Sequence, residues 1–88
     1  DSRNAEAYYS RAIYKSELND YLGAILDYDE AIKINPDDAD SYLNRGTCKQ
    51  KTGNVIGACL DWKKAVESGG LGSDDLKAAR DSISKNCK

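Results

Sequence analysis

The chain has 88 residues, 13 basic against 15 acidic and no histidine, so it is one small domain or a piece of a longer array with a slightly negative balance. A chain this short buries only about 60 to 65% of its unfolded surface, which leaves room for one modest core. The balance gives no electrostatic reason to bind nucleic acid or an anionic membrane, no apolar run approaches the roughly 20 residues of a spanning helix, and the absence of histidine removes the usual general base, the Ser-His and Cys-His nucleophile pairs and most zinc sites.

Apolar and small residues recur at intervals of three and four from end to end, the spacing of amphipathic helices. The first helix is expected from Ala5 to about Glu17, with Tyr8, Ala12 and the stem of Lys15 on one face and Tyr9 and Ile13 beside it. A polar break at Asn19-Asp20 separates it from a second helix carrying Tyr21, Ala24, Ile25, Tyr28, Ala31 and Ile32, which Pro36 stops after about Ile34. Asp37 or Asp38 is placed to cap a third helix with Tyr42, Leu43, Gly46 and Lys49, and Gly53-Asn54 is a turn dipeptide. Val55, Ala58, Cys59, Trp62, Ala65 and Val66 make a fourth helix ended by Gly69-Gly70. Ser73 is the expected N-cap of a last helix over residues 74–86, with Asp74 and Asp75 in its first turn and Leu76, Ala79 and Ile83 facing inward.

Residues 5–38 are echoed by residues 39–72. Nine pairs are identical, Ala5/Ala39, Tyr8/Tyr42, Arg11/Arg45, Lys15/Lys49, Gly23/Gly57, Ala24/Ala58, Leu26/Leu60, Asp27/Asp61 and Ala31/Ala65. Chance at ordinary residue frequencies gives roughly two. A period of this length marks stacked helical units that cannot bury their apolar faces alone, so function is expected on a surface and not at a catalytic point. The same register starts a third unit at Ser73, which makes the last helix a cap.

The pattern resembles the tetratricopeptide repeat, and its Asn44-Arg45-Gly46 and Asp61-Trp62 stretches look like a bacterial sub-class of it. The first unit offers Tyr8, Arg11-Ala12, Ala24, Tyr28, Ala31 and Pro36, and the second Tyr42, Arg45-Gly46, Ala58, Trp62 and Ala65. The resemblance implies an all-α fold, a right-handed α-solenoid of two antiparallel helical hairpins plus a C-terminal capping helix. It makes residues 1–88 a single domain with repeats at 5–38 and 39–72 and the cap at 73–88. Arg11 and Arg45 stand where the family has leucine, and we expect them to pair with Asp27 and Asp61. Asp1 in place of Met leads us to expect an upstream segment that was removed, and two full units lead us to expect a longer parent chain.

In the family the first helix of each hairpin lines a groove for a peptide or a partner helix. By register this implies a lining of Tyr9, Ser10, Ile13, Leu43, Asn44, Thr47, Gln50 and Lys51, with Glu6, Ser16, Asp40, Lys77 and Asp81 around it. The variant that grips a C-terminal carboxylate is not expected, because its positions fall on Tyr9, Ile13, Asn44, Asp74 and Ala78 and only Asn44 matches. The implied function is a non-enzymatic protein-protein interaction module without cofactor or metal. The alternative is a self-assembling homo-oligomer in which the acidic front meets the basic end, since residues 1–40 hold ten acids against four bases and residues 41–88 five against nine.

Cys48, Cys59 and Cys87 show no Cys-x-x-Cys spacing. Cys48 reads as a small core residue. Cys59 lies in the first turns of one helix and Cys87 ends the antiparallel last one, so they either form a disulfide or remain two partly buried thiols. A disulfide favours an exported or periplasmic protein, and free thiols a cytoplasmic one.

Overall fold

The computed structural model of the chain describes residues 2–88; Asp1, with which the expected domain begins, lies outside the described residues. The described residues form five helices and no strand: α1 (Ser2–Glu17), α2 (Tyr21–Ile34), α3 (Ala39–Lys51), α4 (Val55–Ser68) and α5 (Ser73–Asn86). Neighbours in sequence pack on each other, α1 with α2 and α3 with α4 as hairpins, α2 with α3 between hairpins, and α5 on α4. This is a helical-repeat solenoid, 35 × 26 × 19 Å.

The two hairpin turns are built alike although their sequences differ. Asn19 and Gly53, one repeat apart, both take a left-handed backbone, with φ of 65° and 92°. The next residues, Asp20 and Asn54, each turn a side-chain oxygen onto the backbone N–H three positions on, Gly23 at 3.0 Å and Gly57 at 2.9 Å. That bond satisfies one of the orphan donors at a helix start. It also explains the repeated glycine: a Cβ on Gly23 would lie 2.3 Å from the Asp20 carboxylate, and one on Gly57 would lie 2.5 Å from the Asn54 amide.

Two boundaries and the bonding of one cap differ from the sequence reading. α1 begins at Ser2 and not at Ala5. Asp38 is the N-cap of α3, but its carboxylate accepts from the Ser41 hydroxyl at 2.7 Å and from no backbone N–H of the helix. Ser73 is the first residue of α5 and the cap is Gly72, which has no side chain to offer, so Asp74 and Asp75 supply the favourable charge at that end.

The core is narrow and made of small residues set against aromatics. Ala12, Ala24, Tyr28 and Cys48 form a buried cluster with Tyr9, Ile13, Tyr21 and Ile25 packed around it, and Trp62 is fully buried in the second hairpin. Tyr9 meets Tyr28 edge to face with ring centroids 5.8 Å apart. The repeats trade volume across each hairpin: where Ala12 accompanies Tyr28, Gly46 accompanies the larger Trp62, and a Cβ on Gly46 would sit 2.8 Å from the indole.

Arginine forks tie the helices together. Arg11 donates through Nε and Nη2 to the carboxylate of Asp27 at 2.8 and 2.7 Å, and Lys15 adds a contact at 3.1 Å. Arg45 grips Asp61 in the same bidentate way at 2.8 Å, with Lys49 at 3.2 Å. The expected pairings are thus present. The hydrogen bond from Arg11, backed by Lys15, holds the Asp27 carboxyl below the usual carboxylate range. Cys59 and Cys87 are joined by a disulfide that fastens the start of α4 to the end of α5, while Cys48 is the free, buried cysteine and burial pushes its thiol up.

Three outcomes follow from this packing. Gly46→Ala should destabilise by about 1 to 3 kcal/mol in urea unfolding, because overpacking against a rigid indole outweighs the roughly 1 kcal/mol that alanine gains in a helix. Asp27→Asn should cost about 2 kcal/mol at pH 7, since it removes charge-assisted bonds while leaving two cations that reach water. A lowered carboxyl contributes stability above its unfolded value of about 3.9 and loses it as pH falls through the lower folded value, so the gap between wild type and Asp27→Asn should close below about pH 4. Thiol titration should give one group in the unfolded, unreduced protein and three after reduction, and reduction should lower stability by about 3 to 4 kcal/mol for a closed loop of this length.

Candidate functional site

The first helices of the two hairpins meet along a cleft. Ile13, Ser16 and Glu17 of α1, Tyr21 and Tyr28 of α2, and Asn44, Thr47 and Cys48 of α3 line an open hollow of ≈ 290 Å³. Its floor is apolar, with Ile13, both tyrosine rings and the Cys48 sulfur, and its rim is hydroxyl, amide and carboxylate. The local sequence sets this pattern: on α1, Ile13 and Ser16 stand three residues apart and so share a face, as do Asn44 and Thr47 on α3.

The amide and hydroxyls of the polar rim are fixed by bonds within the protein. Asn44 donates from Nδ2 to the Tyr9 hydroxyl at 3.0 Å, joining α1 to α3. The Thr47 hydroxyl donates to the Leu43 carbonyl at 3.2 Å and accepts from the Trp62 indole N–H at 3.4 Å. Ser16 donates to the Ile13 carbonyl at 2.9 Å.

Toward the N-terminal ends of α1 and α3 the surface becomes acidic. A smaller hollow of ≈ 160 Å³ is lined by Ala5, Glu6, Tyr9, Asn35, Asp38 and Asp40. Burial pushes the Tyr9 phenol up, and the charges of Asp40, Asp38 and Asp75 add to it against the opposing bond from Asn44. The Asp40 carboxyl is also raised, first by burial and then by Asp38 and Asp75. Tyr9 therefore separates an apolar hollow from an acidic one.

Of the residues expected in the groove, Ile13, Asn44 and Thr47 line the larger hollow, with Ser16 from its surroundings. Tyr9 lies on the acidic hollow with Glu6 and Asp40. Leu43 is half-buried and lines neither, and Ser10 and Lys51 are exposed beyond both. Gln50 is engaged elsewhere, donating to the Asn86 side chain at 3.2 Å and tying α3 to the end of α5. Sequence reasoning missed Glu17, Tyr21, Tyr28 and Cys48. Tyr28 and Cys48 count as core, and their edges form the floor of the hollow; only the antiparallel geometry of α1 and α2 brings Tyr21 opposite Glu17.

Among the described residues no group of His, Cys, Asp and Glu is set to hold a metal ion. No helix among them is long and apolar enough to cross a membrane.

A family model described as TPR repeat matches residues 16–53, from the last turn of α1 through α2 to the turn after α3. No curated protein matches the chain. Tetratricopeptide repeats are in general protein-protein interaction modules, and the family is typically non-enzymatic. The matched repeat, the echo one period later and the hairpin-on-hairpin packing are consistent with a tetratricopeptide-repeat domain.

Proposed function

We propose that the chain is a non-enzymatic interaction module that holds an extended peptide or a partner helix across α1 and α3. The observation that carries this reading is the ≈ 290 Å³ hollow, whose apolar floor is framed by groups already hydrogen-bonded within the protein. An apolar side chain entering it displaces water without leaving the rim unpaired. A positive charge a few residues along complements Glu6, Asp38 and Asp40. The suited ligand is thus an amphipathic segment with a basic residue flanking its apolar anchor.

Self-assembly is the competing reading. The outer surface of α5 carries exposed Lys77, Arg80 and Lys85, with exposed Lys88 just beyond its end, a basic counterpart to the acidic front. It predicts salt-sensitive association of the purified chain, whereas the groove reading predicts a monomer at all ionic strengths.

Ser16→Arg and Thr47→Arg place a guanidinium at the mouth of the hollow, the second also removing the acceptor of the Trp62 indole N–H, and Leu60→Arg, at a position 65% exposed on α4, is the control. Affinity capture should lose the same partners with Ser16→Arg and Thr47→Arg and keep them with Leu60→Arg. A partner set unchanged by the first two, or lost equally with the third, removes the hollow as the binding site.

A further inference from the structure

Four large apolar side chains of the second helices point away from the core: Leu22 and Leu26 on α2 and Ile56 and Leu60 on α4 are between 64% and 80% exposed. Periodicity puts them there. α2 buries Ala24, Asp27, Tyr28 and Ala31, and α4 buries Ala58, Asp61, Trp62 and Ala65. Leu22, Leu26, Asp29 and Lys33, in steps of four, three and four, form the ridge on the opposite side of α2, and Ile56, Leu60, Lys63 and Glu67 form it on α4. A single exposed leucine is ordinary, but matched apolar pairs on the second helices of adjacent hairpins make a patch of the kind that a partner covers.

The charged half of each ridge identifies the partner. One repeat apart, Asp29 is replaced by Lys63 and Lys33 by Glu67, so the two ridges share their apolar half and are opposite in sign at both charged places. Lys33, Lys63 and Glu67 are exposed, and Asp29, though bonded to Arg45 at 2.8 Å, keeps 38% of its side chain open. A single foreign helix can match one sign pattern or the other; a second copy of this chain matches both. α2 and α4 run in the same direction, so a two-fold axis midway between them and along them lays α2 of one copy on α4 of the other, parallel and at the same height. Leu22 and Leu26 then meet Ile56 and Leu60, Asp29 meets Lys63 and Lys33 meets Glu67, each contact occurring twice. An axis across the helices sets α2 antiparallel on α2 instead and brings the leucines of one copy against the charges of the other. An open hollow of ≈ 260 Å³ beside α4, with Val55, Ile56, Leu60 and Lys63 on its wall, gives the leucine ridge a place to seat.

We propose that the outward face of α2 and α4 docks a second copy of the chain about this lengthwise two-fold axis. The contact lies on the side away from the hollow between α1 and α3 and leaves it open, so a closed dimer is added where the groove alone leaves a monomer. It also differs from end-to-end assembly, because it is isologous, stops at two copies and has an apolar centre.

Sedimentation equilibrium of the full chain is the test. The wild type should show a monomer–dimer equilibrium with a Kd of roughly 1 to 100 µM. Its apolar centre should keep that Kd within about tenfold between about 0.1 M and about 1 M salt. Leu22→Ser or Ile56→Ser should raise it by at least about tenfold without changing the helical circular dichroism, since both positions are exposed. Lys33 pairs with Glu30 of its own helix at 3.1 Å, an exposed contact of little worth, so it can be exchanged. Lys33→Glu and Glu67→Lys each turn both Lys33–Glu67 contacts of the dimer into like charges and should weaken it roughly tenfold at low salt. The two variants mixed as separate chains, or combined in one chain, should recover the wild-type affinity. A monomer up to roughly 1 mM would overturn the proposal. So would association that survives Leu22→Ser and Ile56→Ser, growth beyond two copies, or a mixture of the two charge variants that associates no better than either alone. Association lost in about 1 M salt would overturn it in favour of end-to-end contact.

Discussion

Arg45 donates to Asp61 across its own hairpin and to Asp29 on the hairpin before it, so one guanidinium sets the spacing of three helices. A leucine at this position, usual in such repeats, packs but does not select a partner. A forked donor does, because it accepts carboxylates only in its own plane and at set angles. The cost is desolvation: Asp61 is almost completely buried and Arg45 largely so, and such pairs add little net stability relative to well-packed apolar residues. What they supply here is register. A helix that slips by one turn along α3 leaves an acid or a guanidinium buried without a partner.

Small residues let the forks work. Ala12, Ala24, Ala31 and their counterparts Gly46, Ala58 and Ala65 are fully or nearly fully buried, which lets the helices approach closely enough for the short Asp27 and Asp61 side chains to reach across. The aromatic in each hairpin then fills the remaining space, and its size is matched to the residue opposite. In so small a domain the fit of Trp62 against Gly46 carries more of the packing than it would in a larger core.

The periodicity of the sequence was enough to read the five helices, the turns between them and the Arg–Asp partners, because each depends on spacing along one helix or on the repeat. The helix caps were harder to read. Asp20 and Asn54 look like ordinary turn residues until the glycines three positions later are seen to be making room for them. Asp38 has the composition of a capping residue, yet its carboxylate goes to Ser41. At the candidate site, Ile13, Asn44 and Thr47 came from the register of the family that the sequence resembles. Tyr21, Tyr28 and Cys48 were not, since residues already assigned to packing also show an edge to the surface where two hairpins splay.

The bond between Cys59 and Cys87 has a mechanical meaning. Tension applied at the C-terminus passes from Cys87 directly into the first turns of α4 and does not run back through α5. The last helix is thereby taken out of the load path: it cannot be peeled from the end by pulling, and the loop from Gly69 to Gly72 carries no force. A domain anchored or hauled by its tail would yield first at the joint between α3 and α4 and keep its final helix seated.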